Sequence, residues 1–166
     1  MEKKKIILIG GGGHCHSCID VIESTGLYTI EGIIDDSSKV GSSILGYKVI
    51  GTDDDLYSLR KIYKYALITV GQIKSPVTRN KLFILLNDLQ FELPIIIANS
   101  AYVSNSSNIG KGTIIMHQAF VNANVTIGNN CIVNTKSMIE HDSYIGNNCH
   151  ISTNAIINGN VIINDN

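Results

Sequence analysis

The sequence has almost no excess of charge of either sign. Its 13 lysines and arginines face 14 aspartates and glutamates, for a formal net charge of −1. A nucleic-acid binder needs a basic patch or stripe, and the composition offers no electrostatic case for one. Long apolar runs are missing too. The start, Met1 to Lys5, has the basic character of a signal peptide, but the apolar run behind it, Ile6 to Ile9, stops at a glycine cluster. That is too short for an h-region or a membrane span. The chain is therefore expected in the cytoplasm with no membrane partner, and its four cysteines are expected reduced. Cys15-His-Ser-Cys18 has CxxC spacing, but no second CxxC follows, so no metal site is expected. A full dinucleotide fingerprint is also lacking. Counting GxGxxG from Gly10 and Gly12 puts the third glycine at Cys15, which disfavours an NAD-dependent activity.

What is present falls into two halves. Residues 1–93 alternate strand and helix signals. Lys5 to Ile9 is a short apolar strand running into Gly10 to Gly13; Cys18 to Glu23 has helical spacing, with Gly26 as its stop. Tyr28 to Ile34 reads as a strand ending at Asp35 and Asp36, and Gly46 to Ile50 as another. Thr52 caps an expected helix over Asp53 to Ile62, with acids in its first turn. Ala66 to Val70 is a further strand closed by Gly71, and Pro76 to Leu89 a further helix. This order implies an α/β, Rossmann-like small parallel sheet covered by helices.

Residues 94–166 follow a different rule. Ile97, Val103, Ile109, Ile115, Val121, Ile127, Val133, Ile139, Ile145, Ile151, Ile157 and Ile163 lie six apart, and every one is Ile or Val. Four residues after each comes a small or β-branched residue, from Ala101 and Ser107 through Cys131, Ser137, Ser143 and Cys149 to Val161. Neither a helical nor a strand period explains this; a period of six marks a solenoid. Each hexad is a short strand and a turn, and three hexads make one triangular coil. Residues 18 apart then stack at about 4.8 Å, the strand spacing. The aliphatic residue plugs the interior and the small one fits beside it. Cys131 and Cys149 fall in the small slot and are read as packing residues. Asparagine-rich turns such as Gly128 to Asn130 suit the corner backbone.

The hexad repeat resembles the left-handed parallel β-helix acyltransferase superfamily. Gly11-Gly-Gly-His14, Asp35-Asp36, Asn134-Thr135, Ile139-Glu-His-Asp142 and His150-Ile-Ser152 further resemble the sialic acid O-acetyltransferase and bacillosamine N-acetyltransferase group, in which a Rossmann-like domain precedes the β-helix. The resemblance covers essentially the whole chain. It implies a homotrimer that uses acetyl-CoA, lying in grooves between neighbouring β-helices, to acylate an amino or hydroxyl group of a surface-glycan sugar. The acceptor would be a UDP-linked 4-amino sugar, or sialic acid in free or activated form.

His141 is third in its hexad, on an outward turn, and an imidazole titrates in the range a general base needs. Asp142 directly follows it and, by the resemblance, fixes the ring's tautomer; Glu140 is the other flanking acid. By the same resemblance Asn134 orients the nucleophile, and His150 and Gly159 contact the cofactor. Gly159 also lies one coil after His141, where its N–H could meet a developing oxyanion. His117, which lacks the motif, is read as a surface residue. Gly11, Gly12, Gly13 and His14 follow a strand and open a helix, a setting suited to phosphate. The resemblance assigns them, with Asp35, Asp36 and Gly71, to the acceptor's nucleotide. Relatives usually continue for further coils past the position of Asn166, so the chain reads as C-terminally shortened. The competing expectation is an inactive trimeric scaffold or sugar-nucleotide binder.

Overall fold

A computed structural model of the chain describes residues 3–166. It divides into two compact units. One holds residues up to Gly71 together with Val77–Pro94; the other holds Gln72–Pro76 and Ile95–Asn166. A single boundary at residue 93 misses the excursion at Gln72–Pro76.

The first unit is built on β1 (Lys4–Ile9), α1 (Gly13–Thr25), β2 (Tyr28–Ile34), β3 (Ser43–Ile44), β4 (Tyr47–Gly51), α2 (Leu56–Leu59), β5 (Tyr65–Ile68) and α3 (Val77–Asp88). The strand order is β3-β4-β2-β1-β5. β1, β2, β4 and β5 pair in parallel, and the apolar runs of β1, β2 and β5 are buried as such a sheet needs. α1 ends at Gly26, whose left-handed φ of 66° lets its N–H reach the Glu23 carbonyl. Arg79, 1% exposed on α3, donates from Nη1 to the carbonyls of Ile68 and Val70 at the edge strand β5.

The small parallel sheet stands as expected, with one addition: the two-residue β3 pairs antiparallel with β4 through a two-residue turn. Leu45 and Gly46 both have positive φ, 47° and 88°, the geometry of a type I′ hairpin. The helix expected over Asp53 to Ile62 shrinks to a 3₁₀ turn and the single turn of α2. Leu56 is buried, but past Leu59 the chain loosens: Lys61 and Ile62 donate to carbonyls three residues earlier, and Ile62 is 69% exposed.

The second unit is a three-faced parallel solenoid. Twelve two-residue strands form three four-stranded parallel sheets, each joining strands 18 residues apart. Backbone N–H groups donate to the carbonyl 17 residues on, as from Tyr102 to Ala119, Phe120 to Ser137 and Met138 to Ala155, at 2.8–2.9 Å. The interior is the aliphatic and small positions of the repeat: Ile115, Val121, Ile127, Val133, Ile139, Ile145 and Ile151, with Ala119, Val125, Cys131 and Cys149 beside them. Most polar members of the small slot satisfy themselves on the next coil, while Ser137 donates back to the Asn134 carbonyl. The hydroxyls of Thr113 and Ser143, and the thiols of Cys131 and Cys149, each donate to the carbonyl 15 residues on. Hydroxyl and thiol are thus interchangeable there, and both cysteines pack.

The corners obey a second period. Gln118, Asn124, Asn130, Lys136, Asp142, Asn148, Asn154 and Asn160 all have φ between 55° and 61°, and Gly112 precedes the series at 71°. Asparagine and aspartate tolerate this left-handed region better than most residues, which accounts for the asparagine-rich corners. At one corner Asn129, Asn147 and Asp165 form a ladder. The side-chain oxygen of each accepts the backbone N–H 18 residues earlier, at 2.7–3.0 Å. Among the described residues no helix is long and apolar enough to cross a membrane.

Coil stacking leaves no room over Gly128, where an added Cβ would lie 2.7 Å from the backbone of Gly146 and Asn147. Gly128→Ala is expected to lower stability by about 1–3 kcal/mol, the usual cost of overpacking. Denaturant unfolding measures it, and an unchanged midpoint would contradict this packing.

Candidate active site

In the first unit a cavity of about 440 Å³ opens at the C-terminal ends of the parallel strands, lined by Ile9, Gly10, Ile34 and Val70. This is where open α/β sheets bind ligands, beside the point between the parallel strands β1 and β5 where the strand order reverses. Asp35 and Asp36 line it, as do Asp53 and Asp54, which sequence reasoning had placed in a helix. The signal was available: the acidic run follows a parallel strand at its C-terminal end. Asp35 accepts the Gly11 N–H at 3.0 Å, the Asp36 N–H at 2.8 Å and the Lys39 ammonium at 2.8 Å. Burial opposes its charge, but these bonds and the Lys39 charge outweigh it and hold the carboxyl below its ordinary value. Asp53 moves the other way, raised by burial and then by the charges of Asp54, Asp36 and Asp35.

Gly11, Gly12, Gly13, His14 and Gly71 are outside the cavity lining. Gly12 caps α1 and Gly13 begins it, and both have open space where a side chain would stand. Gly71 packs on His14, whose Cβ lies 3.3 Å from where a Cβ of Gly71 would be. Cys15 and Cys18 are buried in α1, and burial pushes both thiols up, away from the reactive thiolate.

In the second unit His141 and Asp142 share an exposed corner, the His141 side chain being 60% exposed. Adjacent side chains ordinarily diverge. Here Asp142 takes the left-handed corner conformation, φ 61°, and its Oδ2 accepts the His141 Nδ1–H at 2.7 Å. The other oxygen, Oδ1, accepts from Asn124 Nδ2 at 2.7 Å, one coil earlier. Glu140, the alternative acid, instead accepts from Asn122. The Asn124 bond first, and the His141 bond next, hold the Asp142 carboxyl below its ordinary value. One coil later lies Gly159. An added Cβ there would stand 2.8 Å from His141 Cε1 and Nε2, so the glycine is the floor under the imidazole.

Asn134 is on a different corner. Its Oδ1 accepts the Thr135 N–H at 2.8 Å, and its Nδ2 lies 3.1 Å from His150 Nε2. The structure therefore joins Asn134 to His150 and not to His141. His150 Nδ1 donates to the carbonyl of Gln72, a residue the sequence did not single out. These three line a cleft of about 770 Å³ that also takes in Lys74, Ser152 and Thr153. His117, read as a surface residue, lies with its Nδ1 2.7 Å from Ser100 Oγ.

Residues 5–84 match the family model of the PglD N-terminal domain, and residues 106–141 that of the bacterial transferase hexapeptide, six repeats. No curated protein matches the chain. Among solved structures, PerB from Caulobacter crescentus, in complex with CoA and GDP-perosamine, is 31% identical with a TM-score of 0.87, over 95% of this chain and 73% of that one. Two further structures of that perosamine N-acetyltransferase carry a histidine replaced by asparagine or by alanine. The acetyltransferase domain of PglB from Neisseria gonorrhoeae, in complex with acetyl coenzyme A, is 26% identical with a TM-score of 0.84, over 99% of this chain and 86% of that one. WeeI from Acinetobacter baumannii, 23% identical with a TM-score of 0.85 over 98% and 76%, shares the fold.

Two substitutions probe the corner. Its hydrogen bonds keep the Asp142 carboxylate charged at lower pH than a free aspartate. Their contribution is present above the ordinary aspartate range and is lost as pH falls through the lowered value. Asn124→Ala should raise the Asp142 midpoint in a carbon-13 carboxyl titration; an unmoved midpoint would deny Asn124 that role. Gly159→Ala should displace the His141 ring, seen as a shift of its imidazole resonances with those of His150 unmoved. From the repeat, the site and these relatives together, the chain belongs to the PglD-like sugar N-acetyltransferase family of the hexapeptide, left-handed β-helix superfamily.

Proposed function

We propose that this chain transfers an acetyl group from acetyl-CoA to the amine of a nucleotide-linked amino sugar, with His141 as general base. The observation that carries the reading is the His141–Asp142 pair seated over Gly159. Asp142 takes the Nδ1–H and so directs the lone pair to Nε2, the tautomer a base requires. His141 removes the proton from the amine as it attacks the thioester carbonyl, and the thiol of coenzyme A leaves. Gly159 seats the ring, and its backbone N–H is the donor we assign to the carbonyl oxygen. The structures of the perosamine N-acetyltransferase with CoA and GDP-perosamine support an amine acceptor over a hydroxyl one. They also extend the expected acceptors from UDP- to GDP-linked sugars.

The nucleotide end belongs to the cavity of the first unit. The four aspartates there accept hydrogen bonds from ribose hydroxyls and base N–H groups. The N-terminus of α1, opened by Gly12 and Gly13, suits the pyrophosphate.

The working form we propose is a homotrimer. His141 and Asn134 stand on successive corners of one prism, and Asn134 bonds His150 rather than His141. Joining them at one acceptor takes a second copy. One prism face also presents an outward column of Tyr102, Phe120, Met138 and Ile156. The first two rings stack at 4.9 Å, and Tyr102 and Ile156 are 54% and 65% exposed. Such a contiguous apolar column suits a subunit contact.

The test is thiol release from acetyl-CoA with GDP-perosamine, UDP-linked 4-amino sugars and sialic acid, on protein whose mass in solution is measured alongside. Release is expected with an amine-bearing nucleotide sugar. His141→Ala should lower turnover by about two to four decades. Near-normal turnover in that variant would remove His141 from the mechanism.

A further inference from the structure

Four features of the molecule fall outside the mechanism above: the buried CxxC of α1, the stacked Cys131 and Cys149, the buried Arg79, and the short segment Gln72–Pro76 that packs with the β-helix. The cysteines and Arg79 are accounted for by packing and by carbonyl partners. Gln72 is not.

Gln72 grips the β-helix twice. Its side-chain Nε2 donates to the Asn148 carbonyl at 2.7 Å, and its backbone carbonyl accepts the His150 Nδ1–H. The first bond fixes the orientation of the amide, since the reverse would set two oxygens against each other. Gln72 Oε1 is then buried with no hydrogen-bond partner among the described residues, on a residue only 9% exposed. A buried acceptor without a donor is what residues serving stability alone avoid.

The second bond determines the state of His150. A carbonyl can only accept, so Nδ1 carries a proton. On the far side of the ring, Asn134 is oriented by the Thr135 N–H on its Oδ1, so its Nδ2 can only donate. His150 Nε2 must therefore accept, and both ring nitrogens are engaged. The cofactor contact expected of His150 from sequence would have only the ring face or its C–H edges to use.

We infer that Gln72 is a positioning residue: through the His150 ring it sets the Nδ1–H tautomer and so holds the Asn134 amide in the orientation that meets the acceptor. The chain of bonds runs from the Asn148 carbonyl to Gln72, through His150, to Asn134, within one cleft of about 770 Å³. Asn134 keeps its second Nδ2 hydrogen for ligand. The inference rests on the proposed role of Asn134 in the transfer reaction, but the bond network itself does not.

Gln72→Met tests it. The thioether keeps the length of the buried side chain and removes the amide that ties the segment to the Asn148 carbonyl, so the backbone carbonyl that holds His150 Nδ1–H loses its anchor. The readouts are the nitrogen-15 resonances of His150 in histidine-labelled protein, assigned by their loss in His150→Asn, and the kinetics of acetyl transfer. Wild-type His150 should show a protonated Nδ1 and a bare Nε2. Gln72→Met should add the Nε2–H tautomer and lower kcat on the order of ten- to a hundredfold, the scale of a small misplacement, with KM for acetyl-CoA little changed. A wild-type Nε2–H tautomer would overturn the proposal, and so would unchanged His150 resonances in the variant. A changed tautomer with unchanged kcat would reduce Gln72 to a loop anchor and overturn it as well. The spectra need no substrate, and the wild-type spectrum alone decides the tautomer should the variant not fold. Wild-type protein that transfers to no acceptor would therefore count against the proposed function while the network stays decided.

Discussion

Each coil of the second unit must close on itself in 18 residues so that every strand meets its own repeat. Three corners per coil have to turn the chain, and the backbone does so with one left-handed residue every six positions. The rest follows from that closure. The aliphatic residue before each corner points inward, the small residue after it fills the gap, and the corner side chains fall into columns 18 residues apart. Columns can then be tied by the polar groups they carry, as Asn129, Asn147 and Asp165 are. A parallel solenoid has no hairpins and no covering helices, so these ties and the interior plugs are what hold neighbouring coils in register.

The proposed base site is a local change in one such column. At the left-handed positions Asn124, Asp142 and Asn160 the middle member is an acid. It keeps its tie to Asn124 while offering a second oxygen to His141. An acid in a ladder is not by itself a site, for Asp165 also replaces an asparagine and only accepts from Asn147. What distinguishes the Asp142 corner is the preceding imidazole and the glycine below it. Conformation contributes as much as chemistry, because the positive φ of Asp142 is what turns an i, i+1 carboxylate onto the ring. The repeat had already imposed that conformation, so the site is laid over geometry the fold supplies anyway.

This explains which parts of the molecule the sequence discloses. A period of six in Ile and Val reports the interior directly, since only those positions face inward, and the whole solenoid is legible from it. The left-handed positions are half legible: asparagines mark most of them, but Gln118 and Lys136 occupy the same conformation and reveal it only by counting. In the first unit the parallel strands show through their apolar runs. The hairpin at Leu45 does not, because leucine is an unusual residue for a positive φ. Nor does the short α2, which gives way past Leu59 to tighter turns that leave Ile62 exposed. Asp53 and Asp54 were read as helix-dipole partners, and only the position of their turn at the strand ends makes them cavity residues. Gln72 was invisible for a different reason. It lies in the sequence of the first unit and folds with the second, so no local pattern could attach it to His150.

The two histidines of the site show what residue type alone leaves undecided. Motif resemblance placed both His141 and His150 near the chemistry. A general base needs a lone pair that can take a proton without losing a bond already made. His141 meets this: its Nδ1–H is held by Asp142, and no described residue bonds its Nε2. His150 does not, because its Nδ1 donates to Gln72 and its Nε2 accepts from Asn134, so a proton arriving at Nε2 would break the latter bond. The same side chain thus fits the proposed base at one corner and a rigid spacer at another, and the difference lies in the partners of the second nitrogen. Those partners come from Asn134, 16 residues earlier, and Gln72, 78 residues earlier, and only the closed coil and the folded-back segment bring them to the ring.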